Sequence, residues 1–535
     1  MLMKRLPVGR QNFENIIQEE LLYVDKTRQV YELLQAGQLY FLSRPRRFGK
    51  SLLVSLFKHL FEGRRELFQH LYIGRETAYD FPAYPVLQFN FADFGLKTRK
   101  LEEELSGLLQ SFAEDFGVHS ERTSISTQFK TLVQNIAEKN GRPVVILIDE
   151  YDKPIVDFLT DAETAESNQL ILRQLFSPLK GLEANGYLRF LFVTGVSKFS
   201  KVSLFSDLNN LTDLSMHTLS NDLLGITHQE LLADFQPHIQ ATAAKFNMKK
   251  EELLQQVKIW YNGYSFDGEK RLYNPFSLLS FFLNQQLSNY WFATGTPTFL
   301  VETIRDRGIA PQDFEAIKVS EAFLEKFSLK DIHMTGLLFQ TGYLTIKEVT
   351  YRGMLRTFTL GYPNEEVRHS MMHNLVEAFT YRPASVVSNS LLQMQEALEE
   401  GNIHRFMEHL KVILSDLKYN WQPPKQYKNE AELLTMWEGY FHAILYLITT
   451  YMDLFVQAEL SHYKGRIDLI ATTQQFIYIM EFKMDVHAAD ALAQIKSRDY
   501  AASYRHVPQK VFLVGINFSN AARNWEDWIA EEWIR

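Results

Sequence analysis

Short apolar runs alternate with helical stretches through the first two hundred residues. Residues 39–43, 144–148 and 188–193 are almost wholly apolar, and residues 51–61, which follow the first run, have the pattern of a helix. Strands that are apolar on both faces are typical of a parallel sheet with helices packed on both sides. The sequence therefore predicts an α/β fold built on a parallel sheet.

A candidate phosphate-binding segment follows the first run. Residues 44–51 read Arg-Pro-Arg-Arg-Phe-Gly-Lys-Ser and lie between a predicted strand and a predicted helix, which is the context of a P-loop. Free N–H groups at the N-terminus of that helix would bind phosphate. Lys50 would contact the β- and γ-phosphates, and the Ser51 hydroxyl would hold Mg²⁺. Arg44 stands where the P-loop pattern has its first glycine. Either the loop turns differently, or its arginine side chains add phosphate contacts.

Two adjacent carboxylates follow the second run. Asp149 and Glu150 complete the pattern of a Walker B strand, in which the first carboxylate holds Mg²⁺ and the second activates the attacking water. Each element alone also fits a structural role, as a basic turn or a solvated strand end, but the two in this order favour binding of ATP with Mg²⁺. Thr194 ends the third run and is either a contact for the γ-phosphate or an ordinary polar strand end. The candidate nucleotide-binding residues are Arg46, Arg47, Gly49, Lys50, Ser51, Asp149 and Thr194, with Glu150 as the catalytic base.

A carboxylate–lysine cluster is predicted near the C-terminus. Residues 465–471 and 476–483 have the pattern of two strands joined by a turn. Side chains two residues apart share a face of a strand, so Glu481 and Lys483 lie together, and the hairpin brings Asp468 beside them. This set suits phosphodiester cleavage, with Asp468 and Glu481 as ligands of Mg²⁺ or Mn²⁺ and Lys483 orienting or deprotonating the attacking water. The alternative is an ordinary surface hairpin.

Several neighbouring residues are further candidates for the same site. Glu438, on a predicted helix, and Glu459, at the end of a predicted strand, would complete the metal shell. Gln494 and Tyr500 would contact the phosphate backbone. His442 stands four residues after Glu438 and could form a metal-binding pair with it, although a histidine in this position is more often structural.

The composition excludes several classes of protein. The chain has 56 Lys and Arg residues against 64 Asp and Glu, a net charge of −8, which excludes a uniformly basic nucleic-acid-binding surface but not a local basic groove. It has no cysteine, which excludes disulfides, a thiolate nucleophile and Cys-ligated metal clusters. No apolar run reaches the roughly 20 residues of a membrane-spanning helix. We expect a soluble, cytoplasmic protein without a membrane partner.

The chain is predicted to form three domains. The polar stretch 421–430, which contains Pro-Pro, is the predicted linker before the last domain. In the middle of the chain, residues 337–347 and 356–360 are expected to pair as strands, and residues 374–418 to be mostly helical. The predicted domains are 1–290, with the P-loop; 291–424, a mostly helical, winged-helix-like region; and 425–535, with the carboxylate–lysine cluster.

Nine segments spread over nearly the whole chain carry a family resemblance, namely residues 23–27, 44–51, 148–152, 194–200, 260–264, 273–277, 339–344, 361–364 and 465–483. Together they resemble the bacterial AAA-ATPase-like proteins that carry a C-terminal domain of the PD-(D/E)XK nuclease superfamily. The resemblance implies an additional-strand P-loop ATPase core, a central helical region and a restriction-endonuclease-like C-terminal domain. Asp468, Glu481 and Lys483 match the active-site motif of that superfamily, and the Arg-rich loop is similar to the family's own form of the P-loop.

Two hypotheses follow for the function. The first is an ATP-driven or ATP-gated, metal-dependent nuclease that acts on DNA or RNA, with DNA favoured, in genome defence or a mobile element by family analogy. The second is a nucleotide-dependent switch or scaffold whose C-terminal domain binds nucleic acid or a partner without cleavage. Residues 431–535 contain 9 Lys and Arg against 13 Asp and Glu, a net charge of −4, which favours the second because non-specific DNA binding needs cations. A homo-oligomer is left open.

Overall fold

The computed structural model describes residues 3–120, 123–159, 161–198, 204–205, 208–291, 298–306, 309, 311–325, 334–353, 355–417, 430–451, 455–462 and 465–534. Side chains are described for the same residues except 298–299, 312, 322, 325, 352, 384, 430–438, 449, 451, 455–462 and 465–467. The chain divides into two compact units, Met1–Thr294 with Ala316–Val367, and Gly295–Glu315 with Arg368–Arg535. This division differs from the three predicted domains, whose boundaries stay a prediction.

Five parallel strands form the main sheet of the first unit, in the order β2-β3-β4-β1-β5. The prediction of a parallel sheet is confirmed. Because β4 lies between β1 and β3, one strand separates the strand before the P-loop from the strand that ends in Asp149, which is the additional-strand arrangement. The strands are β1 Leu39–Ser43, β2 Val86–Asn90, β3 Val144–Asp149, β4 Leu188–Gly195 and β5 Thr212–Asp213.

Helices cover this sheet, and every residue of β1 and β3 is buried. Leu101–Phe116 shows why its segment is helical, because one buried apolar residue recurs in each turn and Gly117, with φ +61°, ends the helix. The helices of the first unit are Phe13–Gln18, Thr27–Ala36, Lys50–Phe61, Tyr72–Arg75, Leu101–Phe116, Ile125–Asn140, Lys153–Val156, Ala162–Phe176, Leu179–Ala184, His228–Asp234, Gln236–Phe246, Lys250–Tyr261, Pro275–Asn284, Glu321–Glu325 and Met334–Thr341.

Two small sheets belong to the same unit, β6-β7 and β8-β10-β9. The predicted pairing in the middle of the chain is confirmed only for its later part, because residues 337–341 lie in the helix Met334–Thr341. That run is apolar and mostly buried, and periodicity does not separate a buried helix from a buried strand. The strands are β6 Ile226–Thr227, β7 Leu272–Tyr273, β8 Ile317–Ser320, β9 Thr345–Arg352 and β10 Leu355–Gly361.

The second unit contains a five-stranded sheet in the order β11-β12-β13-β14-β15, antiparallel except between β13 and β14. The sequence pattern beyond the predicted linker indicates the order helix, strand, strand, strand, helix, strand, which is confirmed, and β15 is an additional strand at the sheet edge. Residues 421–429 of the predicted linker lie outside the described residues. The strands are β11 Phe455–His462, β12 Gly465–Thr472, β13 Phe476–Met484, β14 Lys510–Ser519 and β15 Asn524–Glu532, and the helices are Thr298–Asp306, Glu365–Thr380 (which starts in the first unit), Ala384–Glu399, Ile403–Leu414, Glu430–Tyr451 and Ala488–Ser497.

None of the helices in the described ranges has the length and apolar character needed to cross a membrane.

Candidate functional sites

The segment between β1 and the helix Lys50–Phe61 has the backbone of an anion-binding loop. Gly49 has a φ of +93° and Arg47 a φ of +65°, both in the left-handed region. These two turns reverse the chain so that the helix begins directly at Lys50. The first N–H groups of a helix lack acceptors within it and carry a partial positive charge, which favours a bound phosphate.

Arg44, which replaces the first P-loop glycine, is buried in the protein. Its guanidinium donates hydrogen bonds to the carbonyl oxygens of Ser215 (2.7 Å) and Ser220 (3.1 Å) and lies 4.0 Å from the centre of the Phe266 ring. Burial lowers the pKa of this guanidinium to about 9. Arg44 therefore ties the loop to the segment after β5, and we assign it no phosphate contact, whereas the arginines at 46 and 47 are exposed.

Lys50 is buried under the loop. Its Nζ donates hydrogen bonds to the carbonyl oxygens of Arg44 and Pro45, each at 2.9 Å. Burial lowers the pKa of Lys50, and the carboxylates of Asp149 and Glu150 act against this shift. The ammonium thus occupies the inside of the loop.

The carboxyl end of β3 lies beside the start of the same helix. Ser51 forms a hydrogen bond with the Asp149 carboxylate, and the main-chain N–H of Glu150 donates to Asp149 Oδ1 at 3.0 Å. Burial raises the pKa of both Asp149 and Glu150, and the Lys50 ammonium lowers it. The structure therefore brings together a hydroxyl, two carboxylates and an ammonium, and oxygen donors of this kind suit Mg²⁺.

Thr194 and Asp152 form hydrogen bonds that connect the ends of neighbouring strands near this site. The Thr194 hydroxyl is buried and donates to the carbonyl oxygen of Leu42 in β1 at 2.7 Å, so its contact with a γ-phosphate stays a prediction. Asp152, to which sequence reasoning gave no role, accepts hydrogen bonds from the N–H groups of Val196 (3.2 Å) and Ser197 (2.7 Å). The sequence did show a carboxylate just past the end of a strand. It could not show the role of Asp152, because the hydrogen-bond partners lie over forty residues further along the chain.

An apolar cavity of about 100 Å³ opens beside Gly49 in the first unit. Leu52 of the P-loop helix, Leu224 and Leu279 are among its mostly apolar wall residues. Lys26 is a charged residue in the wall, and its Nζ lies 2.6 and 2.8 Å from the two carboxylate oxygens of Glu230. The cavity thus combines apolar walls with one polar edge.

The predicted cluster in the second unit is assembled on the β12–β13 hairpin. Leu469 pairs with Met480, a register that sets Asp468 opposite Glu481. Asp468 Oδ2 accepts a hydrogen bond from the main-chain N–H of Phe482 at 2.8 Å, and Lys483 Nζ lies 3.8 Å from Glu481 Oε1. The structure therefore brings together Asp468, Glu481 and Lys483 as expected from the hairpin.

Glu481 is the buried centre of this cluster. Burial, and then the negative charge of Asp468, raise its pKa to about 8, while Lys483 acts in the opposite direction. Gln494 donates a hydrogen bond to Glu481 Oε1, and the pKa of Tyr500 is raised by burial and by the nearby Glu481 charge. Gln494 and Tyr500 therefore lie close to Glu481. Their predicted contact with the phosphate backbone of a nucleic acid stays a prediction.

His442 belongs to the same cluster, although the sequence favoured a structural role for it. Its Nε2 lies 3.9 Å from Asp468 Oδ2, and its ring packs edge-on against Phe482 with 5.3 Å between ring centres. Within the part of the chain that the structure describes, His442 Nε2 and Glu481 Oε2 are buried and have no hydrogen-bond partner. These are a nitrogen and an oxygen atom of the kinds that coordinate cations.

The fit of a metal ion depends on two carboxylates in this arrangement. Among the described side chains, no group of three or more His, Asp or Glu residues is placed to hold one ion. Glu438 lies on the helix Glu430–Tyr451 and Glu459 on β11, but both side chains are outside those described, so their roles stay predictions. Mg²⁺ usually takes one or two carboxylates and completes its shell with water and phosphate, so Asp468 and Glu481 fit this ion.

Comparison with known proteins finds matches for both parts of the chain. Residues 7–205 match the family described as "Predicted AAA-ATPase", and residues 436–528 match the PD-(D/E)XK nuclease superfamily. The chain is 34% identical over 535 residues to "Uncharacterized protein in vnfD 5'region" of Azotobacter chroococcum mcd 1, with 99% of each chain covered. The two matched ranges contain the P-loop site and the carboxylate–lysine cluster, respectively.

Proposed function

Because the chain belongs to the AAA-ATPase-like proteins that carry a C-terminal PD-(D/E)XK nuclease-superfamily domain, we propose that it hydrolyses ATP to control metal-dependent cleavage of nucleic acid. We propose DNA rather than RNA as the substrate and the cytoplasm as the place of action. The observation that carries the proposal is that two separate sites each combine a buried carboxylate and a half-buried one with a lysine. Each site has the composition that phosphate chemistry with a divalent cation requires.

At the first site, we propose that Lys50 binds the β- and γ-phosphates, with Arg46 and Arg47 as exposed additional contacts. Ser51 and Asp149 would hold Mg²⁺, which neutralises negative charge on the phosphates. Glu150 would orient and deprotonate the attacking water, since its raised pKa makes it a better base than an exposed carboxylate.

The apolar cavity beside Gly49 is the proposed site of the nucleoside base. It is continuous with the phosphate loop because Gly49 lines both, and its walls suit a flat, weakly polar ring. Lys26, which lines the cavity, offers a donor to the polar edge of the base. We expect Leu279→Trp to fill the cavity and weaken ATP binding while leaving inorganic tripolyphosphate binding unchanged.

The P-loop assignment is tested with Lys50→Ala, using Lys58→Ala on the same helix as the matched control. Lys58 is 41% exposed and pairs only with Glu62 at 4.0 Å among the ion pairs described. Loss of a charge-assisted phosphate contact should weaken ATP binding about tenfold or more in the first variant, measured by calorimetry. If Lys50→Ala binds ATP with unchanged affinity, Lys50 has no phosphate role.

For the cavity variant Leu279→Trp, the control is Leu283→Trp, because Leu283 is 59% exposed on the helix that also carries Leu279.

At the second site, we propose that Asp468 and Glu481 hold Mg²⁺ or Mn²⁺, with water and substrate phosphate completing the shell. A divalent cation there supplies Lewis acidity that stabilises charge on the phosphorus oxygens. Lys483, 3.8 Å from Glu481 and 32% exposed, would donate a hydrogen bond to the attacking water and orient it. Gln494 keeps Glu481 in place by donating a hydrogen bond to Oε1, the oxygen that Lys483 also approaches.

The nuclease proposal is tested by nicking of supercoiled plasmid DNA with Mn²⁺. Lys483→Ala should lose nicking, and Lys496→Ala should not, because Lys496 is exposed and pairs with Glu531 at 2.7 Å. Single-stranded RNA as a second substrate tests the preference for DNA. If wild type and Lys483→Ala nick equally, cleavage is not a property of this site.

The second candidate function is a nucleotide-dependent switch whose C-terminal domain binds nucleic acid without cleaving it. It is favoured by the net charge of −4 over residues 431–535, which contain 9 basic and 13 acidic residues. Binding of labelled DNA that depends on ATP, together with no nicking under any metal, would support it. If the protein neither binds nor nicks DNA, both proposed nucleic-acid functions are wrong.

A further inference from the structure

The first half of the phosphate loop is held by residues that lie far along the chain. The indole Nε1 of Trp291 donates a hydrogen bond to the carbonyl oxygen of Arg46 at 3.1 Å, across 245 positions of sequence. Pro45 packs against Gly342, where an added Cβ would lie 2.6 Å from Pro45 Cβ. Lys50 donates hydrogen bonds to the carbonyl oxygens of Arg44 and Pro45, so three successive loop carbonyls are held, two by Lys50 and the third by Trp291.

Trp291 is itself held by a buried carboxyl group. Its main-chain N–H donates to Glu366 Oε1 at 2.8 Å, and the Ser277 hydroxyl donates to the same oxygen at 3.0 Å. The Glu366 residue is fully buried, and Glu366 Oε2 has no hydrogen-bond partner within the described residues. Tyr343 packs edge-on against the indole with 5.2 Å between ring centres. Burial of a half-satisfied carboxyl costs free energy, so its retention calls for a role.

The direction of the Arg46 carbonyl decides the direction of the next N–H group. The described peptide bonds are trans, and the C=O and N–H of a trans peptide point in opposite directions. When the indole holds the Arg46 carbonyl, the N–H of Arg47 is turned away from Trp291. Backbone N–H groups aimed into the loop are what a P-loop offers to phosphate.

We propose that Trp291 and Glu366 are positioning residues that keep the Arg46–Arg47 peptide oriented for phosphate binding. Glu366 fixes Trp291, and Trp291 fixes the peptide. Without the indole N–H, the Arg46 carbonyl loses the donor that fixes its direction, and a carbonyl oxygen turned into the loop would repel phosphate. This inference rests on the proposed triphosphate site at the P-loop and adds residues that the P-loop pattern does not contain.

The test measures the affinities of full-length variants for ATP and for inorganic tripolyphosphate. Trp291→Phe keeps a buried ring but removes the donor, and the loss of one hydrogen bond should weaken both ligands by about three- to tenfold. Equal losses for the two ligands distinguish an effect on phosphate binding from one on the base cavity. Glu366→Ala should reproduce the loss, whereas Glu366→Gln, which keeps an acceptor oxygen for Trp291, should remain close to wild type.

A double variant shows whether the two residues act along one route. Glu366→Ala added to Trp291→Phe should cause no further loss, because the contact through which Glu366 acts is already gone. Additive losses, or wild-type affinities in Trp291→Phe, would overturn the inference. If Lys50→Ala also leaves both affinities unchanged, the proposed site itself fails. If Lys50→Ala abolishes binding and Trp291→Phe does not affect it, only the positioning role fails.

Discussion

The Gly195→Ala substitution tests whether the strand ends at the proposed nucleotide site are packed as closely as the structure shows. Gly195 is the last residue of β4, and an added Cβ would lie 2.4 Å from Asp152 Oδ1 and 2.7 Å from the Tyr151 ring. Real atoms do not approach so closely, so the carboxylate or the ring must move. Both residues follow directly after Glu150, and their displacement should disturb the proposed catalytic base.

The expected cost combines overpacking with the loss of hydrogen bonds. Forcing a methyl group into a packed site costs about 1–3 kcal/mol. Asp152 accepts hydrogen bonds from two N–H groups and from the Ser197 hydroxyl at 2.6 Å, and each lost bond to a charged acceptor adds about 1.5–3 kcal/mol. If one of these bonds breaks, the total destabilisation is about 2.5–6 kcal/mol.

Gly107→Ala is the matched control, since it adds the same atom where there is room. Gly107 is exposed in the helix Leu101–Phe116, and no atom lies within 4 Å of an added Cβ. Alanine should stabilise the helix there by about 0.5–1 kcal/mol. Calorimetric unfolding of the full chain and steady-state ATP hydrolysis measure both variants. If Gly195→Ala unfolds at the wild-type temperature and hydrolyses ATP at the wild-type rate, the reasoning is refuted.

Three further predictions concern buried charge and loop packing. Burial raises the pKa of Glu366 from 4.5 to about 7, so the folded state binds the proton more tightly, and stability should fall by about 3 kcal/mol as pH rises through this window. Unfolding temperatures of wild type and Glu366→Gln should therefore diverge from pH 5 to pH 8, with wild type becoming relatively less stable. Because the Glu481 pKa is about 8, a cation must displace a proton at neutral pH, so Mn²⁺ affinity measured by calorimetry should rise with pH up to about 8. Glu481→Gln should show no Mn²⁺ binding at any of these pH values. Gly342→Ala should weaken ATP binding through its clash with Pro45, whereas Gly353→Ala, also at positive φ but with open space around it, should not.

Local patterns were sufficient to predict the parts of the first site that single short segments provide. The run before Asp149 is apolar on both faces, so a buried parallel strand was predicted, and β3 is that strand. Parallel strands end at the same edge of a sheet, which is why Lys50 and Asp149 could be expected to meet. The hairpin that joins Asp468 to Glu481 was predictable for a similar reason, because the alternation of side chains sets its faces.

Contacts between distant segments left no such signal. Two partners of Arg44, Ser215 and Ser220, are more than 170 positions away, so the sequence could not show that this arginine is buried in the protein. Trp291 and Glu366 gave no pattern connecting them with the P-loop for the same reason. Thr194 was correctly expected at a strand end, but a strand pattern does not say whether a hydroxyl faces a cleft or a neighbouring strand.

The carboxyl groups of Asp149, Glu481 and Glu366 differ in what surrounds them, and this difference separates the two proposed metal sites from the proposed positioning contact. A lysine ammonium is among the groups that lower the pKa of Asp149 and of Glu481. For Glu366 the groups that lower the pKa are neutral hydrogen-bond donors, the N–H groups of residues 290 and 291 and the hydroxyl of residue 277. Neutral donors need an acceptor oxygen but not a charge, whereas a cation needs the charge itself. An amide should therefore replace the carboxylate of Glu366 with little loss of nucleotide binding, while the same exchange at Asp149 or Glu481 should remove the cation.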